Sequence, residues 1–170
     1  MTEINSIFYN PTDKTPMVDF NWITGEMILS GKSIPENAAK IYEPLLNWTL
    51  NYITNARAKT NFRLNLEYFN TSSFLWISKI IKTLCNINNQ ESILIVHLYF
   101  NIEDFEDMDD IQDEISPITD IISKASLSVC CVIYGTDDDG KVIRGFYLLH
   151  GRVEGFPRTV DARGWKDDMV

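Results

Sequence analysis

The sequence predicts an α/β fold: a single domain with a mixed β-sheet flanked by helices, an N-terminal β-hairpin and a C-terminal β extension. Three observations carry this. Apolar patterns of period two and of period three to four take turns along the chain. Residues 93–100 (ILIVHLYF) are apolar almost throughout, as a central strand buried on both faces would be. Strand-like runs are also separated by helix-length segments, which is the spacing that crossovers between strands of one sheet require.

Residues 1–14 carry Asn10-Pro11 and Thr12-Asp13 turn signals and read as a loose lead-in. Val18, Phe20 and Trp22 then alternate, and after Thr24-Gly25 so do Met27 and Leu29, which predicts a β-hairpin. Ser33 and Glu36 have capping-box spacing, with Pro35 in the expected first turn. Ala38, Ile41, Leu45, Trp48 and Tyr52 follow at helical spacing, and Pro44 among them predicts a kink over residues 40–44. Residues 62–69 (FRLNLEYF) place Phe62, Leu64, Leu66 and Tyr68 on one face of a strand, and residues 74–84 place Ile77, Ile80, Ile81 and Leu84 on one face of a helix. Beyond the central strand, Phe105, Met108 and Ile111 give the acidic stretch 103–114 the period of a short amphipathic helix. Residues 127–134 and 142–149, joined by Asp-Gly turn chemistry at 137–140, predict a closing hairpin.

Composition narrows the function. With 170 residues and 45% hydrophobic content the chain can bury one substantial core. A net charge of −9 disfavours nucleic acid and anionic membranes, which select clustered Lys and Arg, so protein partners are expected. There is neither a leader-like N-terminus nor a run of about 18 apolar residues, so no membrane insertion is expected and the cytoplasm is the expected location. Cys85, Cys130 and Cys131 lack redox or zinc spacing. The acidic stretch has no central glycine of a calcium loop. No cofactor and no catalytic residue is expected: His97 lies in an apolar strand, and no nucleophile elbow, phosphate loop or HExxH helix is present.

The tetrad Asn70-Thr71-Ser72-Ser73 puts hydroxyls where a strand becomes a helix. The first turn of a helix has unpaired N–H groups and the positive end of the dipole, and a phosphoryl group on a hydroxyl there would bring about 1.5 to 2 negative charges. The same residues would also serve simply to cap a helix. Around the tetrad, GKSIPENAAKIYEPLLNW (residues 31–48), LEYFNTSS (66–73) and YFNIEDFEDMDD (99–110) follow one another in an order that resembles the SiaC family of regulatory phosphoproteins. The resemblance covers roughly residues 15–122, leaving 1–14 as lead-in and 123–170 as an extension, a hairpin plus tail.

That resemblance implies a small, non-enzymatic bacterial protein. It would be phosphorylated on Thr71 by a dedicated Ser/Thr kinase and reset by a PP2C-type phosphatase. Its unphosphorylated form would bind and activate a diguanylate cyclase, the source of cyclic di-GMP. Glu67, Asn70, Ser72 and Ser73 would flank the phosphosite, and Ile34, Pro35, Glu36, Asn37 and Tyr68 would contribute to partner binding. The element order also resembles the STAS fold of anti-sigma-factor antagonists, in topology rather than sequence. Two alternatives therefore stay open: an antagonist-like transcriptional switch, and a small enzyme using the acidic stretch or His97.

Overall fold

Among the described residues seven strands lie side by side in the order in which the chain makes them. The computed structural model describes residues 5–104 and 108–151. Among them one mixed sheet runs β1 (Ile7–Tyr9), β2 (Met17–Asn21), β3 (Glu26–Ser33), β4 (Lys59–Phe69), β5 (Ile93–Asn101), β6 (Ser128–Thr136) and β7 (Val142–His150). The first three strands form an antiparallel meander, β3 through β6 are parallel, and β7 returns antiparallel to β6. The helices α1 (Ala38–Tyr52), α2 (Thr71–Leu84) and α3 (Met108–Ile122) are the three crossovers. Each crossover advances one strand in the same direction, so right-handed connections place all three helices on one face of the sheet.

The core lies between that face and the helices. Phe20, Met27, Phe62, Val96 and Cys131 form a row across five paired strands, and every one is fully buried. A parallel row of Val18, Leu29, Leu64, Leu98 and Ile133 lies beside it. From α1, Trp48 meets Phe20 edge to face at 5.3 Å and stacks on Tyr52 at 5.2 Å. α2 buries Ile77, Ile80, Ile81 and Leu84, and α3 buries Ile111, Ile115, Ile118 and Ile122. At the β2–β3 turn Gly25 has φ +76°, and a Cβ there would stand 2.5 Å from the Lys59 carbonyl oxygen, so this turn requires glycine.

Several expectations need correction. The supposedly loose lead-in contributes β1, because Ile7-Phe8-Tyr9 can add an edge strand to β2, and the Trp48 indole N–H fastens the segment by donating to the Asn5 carbonyl at 2.7 Å. The Ser33–Glu36 capping box does not form: Ser33 remains the last residue of β3, Glu36 pairs with Lys14 at 3.6 Å, and α1 begins after Asn37 without a side-chain cap. Pro44, as expected, lies inside α1, on its exposed side. α3 is longer than expected because Ile115, Ile118 and Ile122 continue its apolar period; Phe105 lies outside the described residues. Finally, β5 buries Leu94, Val96 and Leu98 on its helix face, while on the other face His97 is buried and Ile93, Ile95 and Tyr99 are half-buried, no helix among the described residues packing there. The hairpin of the extension joins the same sheet through parallel β5–β6 pairing, and the rest of the tail, residues 152–170, lies outside the described residues.

Candidate functional site

The length of β4 decides how the tetrad is presented. Its pairing with β5 ends at Leu64–Leu98, whereas pairing with β3 continues to Ser33–Phe69, so the last residues of β4 overhang the sheet on one side. A bulge between Gly31 and Lys32 leaves Glu67 without a partner on β3. This is why Tyr68 does not share the buried face of Phe62 and Leu64, contrary to the simple alternation: it is 63% exposed, with the Lys32 ammonium 6.0 Å from its ring centre.

α2 starts directly after the overhang. Asn70 is its N-cap: Oδ1 accepts from the Ser73 backbone N–H at 2.9 Å and from the Ser72 hydroxyl at 3.0 Å. Such a cap contributes about 1 kcal/mol. The Asn70 side-chain amide donates to the Pro35 carbonyl at 3.2 Å, and its backbone N–H donates to the Ser33 carbonyl at 2.9 Å. The SIPEN and NTSS words, far apart in sequence, are therefore joined by direct bonds. Beneath them the Ser73 hydroxyl donates to the Ser33 carbonyl at 3.0 Å and accepts from the Ser33 hydroxyl at 2.8 Å, and Ser33 also bonds Tyr42, all three being fully buried.

The three hydroxyls of the tetrad thus differ. Ser73 is a buried fastening and Ser72 is engaged by the cap. Thr71, the first residue of α2, is exposed and its hydroxyl makes no hydrogen bond among the described residues. The segments that meet at the cap carry exposed apolar side chains: Ile34, between Ser33 and Pro35, Tyr68 and Phe69 at the end of β4, and Leu75, one turn along α2, are 40%, 63%, 39% and 58% exposed, with Phe69 stacked on Phe74 at 5.8 Å. Pro35 is buried, and Glu36, Asn37 and Glu67 are exposed. Sequence reasoning missed Phe69, Leu75 and Tyr42; a strand that outlasts its neighbour leaves no local pattern, although Leu75 follows Thr71 by one helical turn and shares its face.

His97 sits on the sheet face opposite α1, α2 and α3. Its Nε2 donates to the Asn61 side-chain oxygen at 2.9 Å, so Nδ1 accepts from the Tyr134 hydroxyl at 2.8 Å, while Arg63 bridges Glu26 at 3.1 Å and Tyr99 at 3.1 Å. Burial, with the positive charges of Arg63 and Lys59, lowers the His97 pKa to about 3. Both ring nitrogens are occupied, which suits a structural residue. Burial likewise pushes the Cys85 and Cys130 thiols up to about 12, away from nucleophilic use. Unfolded, His97 titrates near about 6.5. Between there and about 3 the unfolded chain takes up a proton that the folded chain refuses, so this contribution to stability is full above the window and is lost as pH falls through it. Urea unfolding at pH 7.5 and 5 should show a smaller loss of stability for His97→Gln than for the wild type; equal losses would contradict the assignment.

These features define a class: an α/β domain presenting an exposed hydroxyl at a helix N-terminus, with exposed apolar side chains on the adjoining segments and no group of three His, Cys, Asp or Glu among the described residues placed to hold a metal ion. The chain belongs to the SiaC family of regulatory phosphoproteins, whose model matches residues 9–125. A stretch of 73 residues is 27% identical to an uncharacterized protein of Pseudomonas aeruginosa strain UCBPP-PA14, covering 43% of this chain and 58% of that relative. The fold is that of apo-SiaC from P. aeruginosa, at TM-score 0.58 and 16% identity over 75% of this chain and 98% of the other. It is similar also to a chain of the P. aeruginosa complex between the diguanylate cyclase SiaD and its activator SiaC, at TM-score 0.59 and 18% identity over 74% and 97%. No helix among the described residues is long and apolar enough to cross a membrane.

Proposed function

We propose that this protein is a non-enzymatic, phosphorylation-controlled partner switch acting in the cytoplasm. A Ser/Thr kinase phosphorylates Thr71 and a PP2C-type phosphatase resets it. The unphosphorylated form binds and activates a signalling enzyme, a diguanylate cyclase, through the apolar surface around Thr71, with the Ile34-Pro35-Glu36-Asn37 turn and Tyr68 contributing. The observation that carries this reading is the sorting of the tetrad's hydroxyls, in which Thr71 combines exposure with freedom from hydrogen bonds among the described residues. The SiaC–SiaD complex supplies the class of partner.

Burial of Ser73 and engagement of Ser72 make them poor acceptors, since a kinase must reach the hydroxyl and release it from its partners. Co-expression with the cognate Ser/Thr kinase, followed by peptide mass spectrometry, should place the phosphate on Thr71, and Thr71→Ala should abolish it. Normal labelling of Thr71→Ala at another residue would contradict the assignment.

A further inference from the structure

A cleft of about 840 Å³ opens at the carboxyl ends of β4, β5 and β6, between α2, α3 and the β6–β7 turn. The overhang of β4 forms one wall and that turn the other. Its floor is apolar: Leu66, Phe69 and Phe74 are part-exposed over the buried Ile77, Leu98 and Ile115. Among the described residues its charged lining consists of Glu67, Asp104, Glu114, Asp137, Asp138 and Asp139, six carboxylates without a Lys or Arg. The acidic wall is held in place: Asp137 Oδ1 accepts from the backbone N–H groups of Asp139 and Lys141 at 3.0 and 2.9 Å, and the Asn101 amide donates to Asp138 at 2.8 Å.

We infer that this cleft is the docking groove for a basic amphipathic segment of the partner protein, whose apolar side chains meet the floor and whose Lys and Arg meet the carboxylates. The inference rests on the partner-switching reading and names the chemistry of the partner. Charge complementarity selects the occupant. Nucleic acid would set its phosphates against six like charges. A second copy of a chain with net charge −9 is disfavoured by the same sign. A small cation would leave the apolar floor unused. The turn 137–140 lies beyond the residues that the family model matches, so this wall belongs to the present chain's extension and bears on which partner it accepts.

The test uses labelled helical peptides of about 18 residues with Leu along one face and Arg on the rest, and counterparts with Glu in place of Arg. Fluorescence anisotropy should show binding of the Arg peptide to the full chain, weakening by about tenfold or more in E114K/D139K, both exposed positions, and no comparable binding of the Glu peptide. Equal affinity of wild type and E114K/D139K for the Arg peptide, or equal affinity of the two peptides, would overturn the groove. Titration with the diguanylate cyclase of the native cell separates the two readings. Cyclase binding that E114K/D139K loses supports the groove. Cyclase binding unchanged in E114K/D139K overturns the groove and leaves the switch intact. Peptide binding without cyclase binding keeps the groove and removes the cyclase as partner. Self-association in sedimentation velocity that E114K/D139K abolishes would make the occupant a second copy and overturn the proposal.

Discussion

Thr71→Asp is expected to weaken binding to the partner by more than a hundredfold, while Thr71→Ala binds like the wild type and no longer responds to the kinase. The unmodified hydroxyl is small and uncharged, and Ile34, Tyr68, Phe69 and Leu75 on the segments that meet at its helix cap are exposed, so an interface formed over them excludes water. Phosphorylation moves the net charge from −9 to about −11, and Asp mimics the sign of that change. A charge enclosed by such a contact must be desolvated without a matching cation, and losing about 3 kcal/mol already exceeds a hundredfold. A basic segment in the neighbouring groove has its Lys and Arg already matched to the six carboxylates there, so it offers the phosphate no free cation. Release therefore wins. Calorimetry of the two variants against the partner checks it; tighter binding by Thr71→Asp would reverse the sign of the switch.

The second large effect is expected in the core beneath the site. Phe62 is fully buried in β4, packed edge to face against Phe20 at 6.4 Å, and the strand it anchors carries the tetrad at its end. Phe62→Ala removes an aromatic ring from the middle of a row shared by five strands and should cost about 3–5 kcal/mol. Single domains have about 5–15 kcal/mol in all, so much of the fold's stability would go. Urea denaturation should show a large drop in midpoint with little change in slope. A loss below about 1 kcal/mol would mean that the surrounding side chains collapse into the space, contrary to a core held rigid by the Phe20, Met27 and Val96 row.

Much of this architecture was legible in local pattern. The alternation of Val18 and Phe20 against Met27 and Leu29 placed the hairpin. The helical period of Ile77, Ile80, Ile81 and Leu84 placed α2, and the apolar run after it placed β5. What escaped depends on strands meeting strands. The Gly31–Lys32 bulge shifts β4 against β3, so Tyr68 turns outward although the pattern of Phe62, Leu64 and Leu66 assigns it inward. Ser33 has the spacing of a helix cap, yet pairing with Phe69 keeps it in β3, where it bonds Tyr42 and Ser73 instead. The tetrad itself was visible as a capping signal. Which of its hydroxyls is free became readable once the Asn70 amide and the Ser33 carbonyl stood beside it. The acidic groove joins residues from β4 to the β6–β7 turn, contacts that no window of sequence contains.

The most direct test is the rate of cyclic di-GMP synthesis by the native diguanylate cyclase in the presence of this protein in three states: unmodified, phosphorylated on Thr71 by its kinase, and the same sample after PP2C-type phosphatase treatment. A partner switch controlled at Thr71 predicts a raised rate with the unmodified protein, the basal rate with the phosphorylated protein, and recovery of the raised rate after the phosphatase. Equal rates in all three states, or a higher rate with the phosphorylated form, would contradict it.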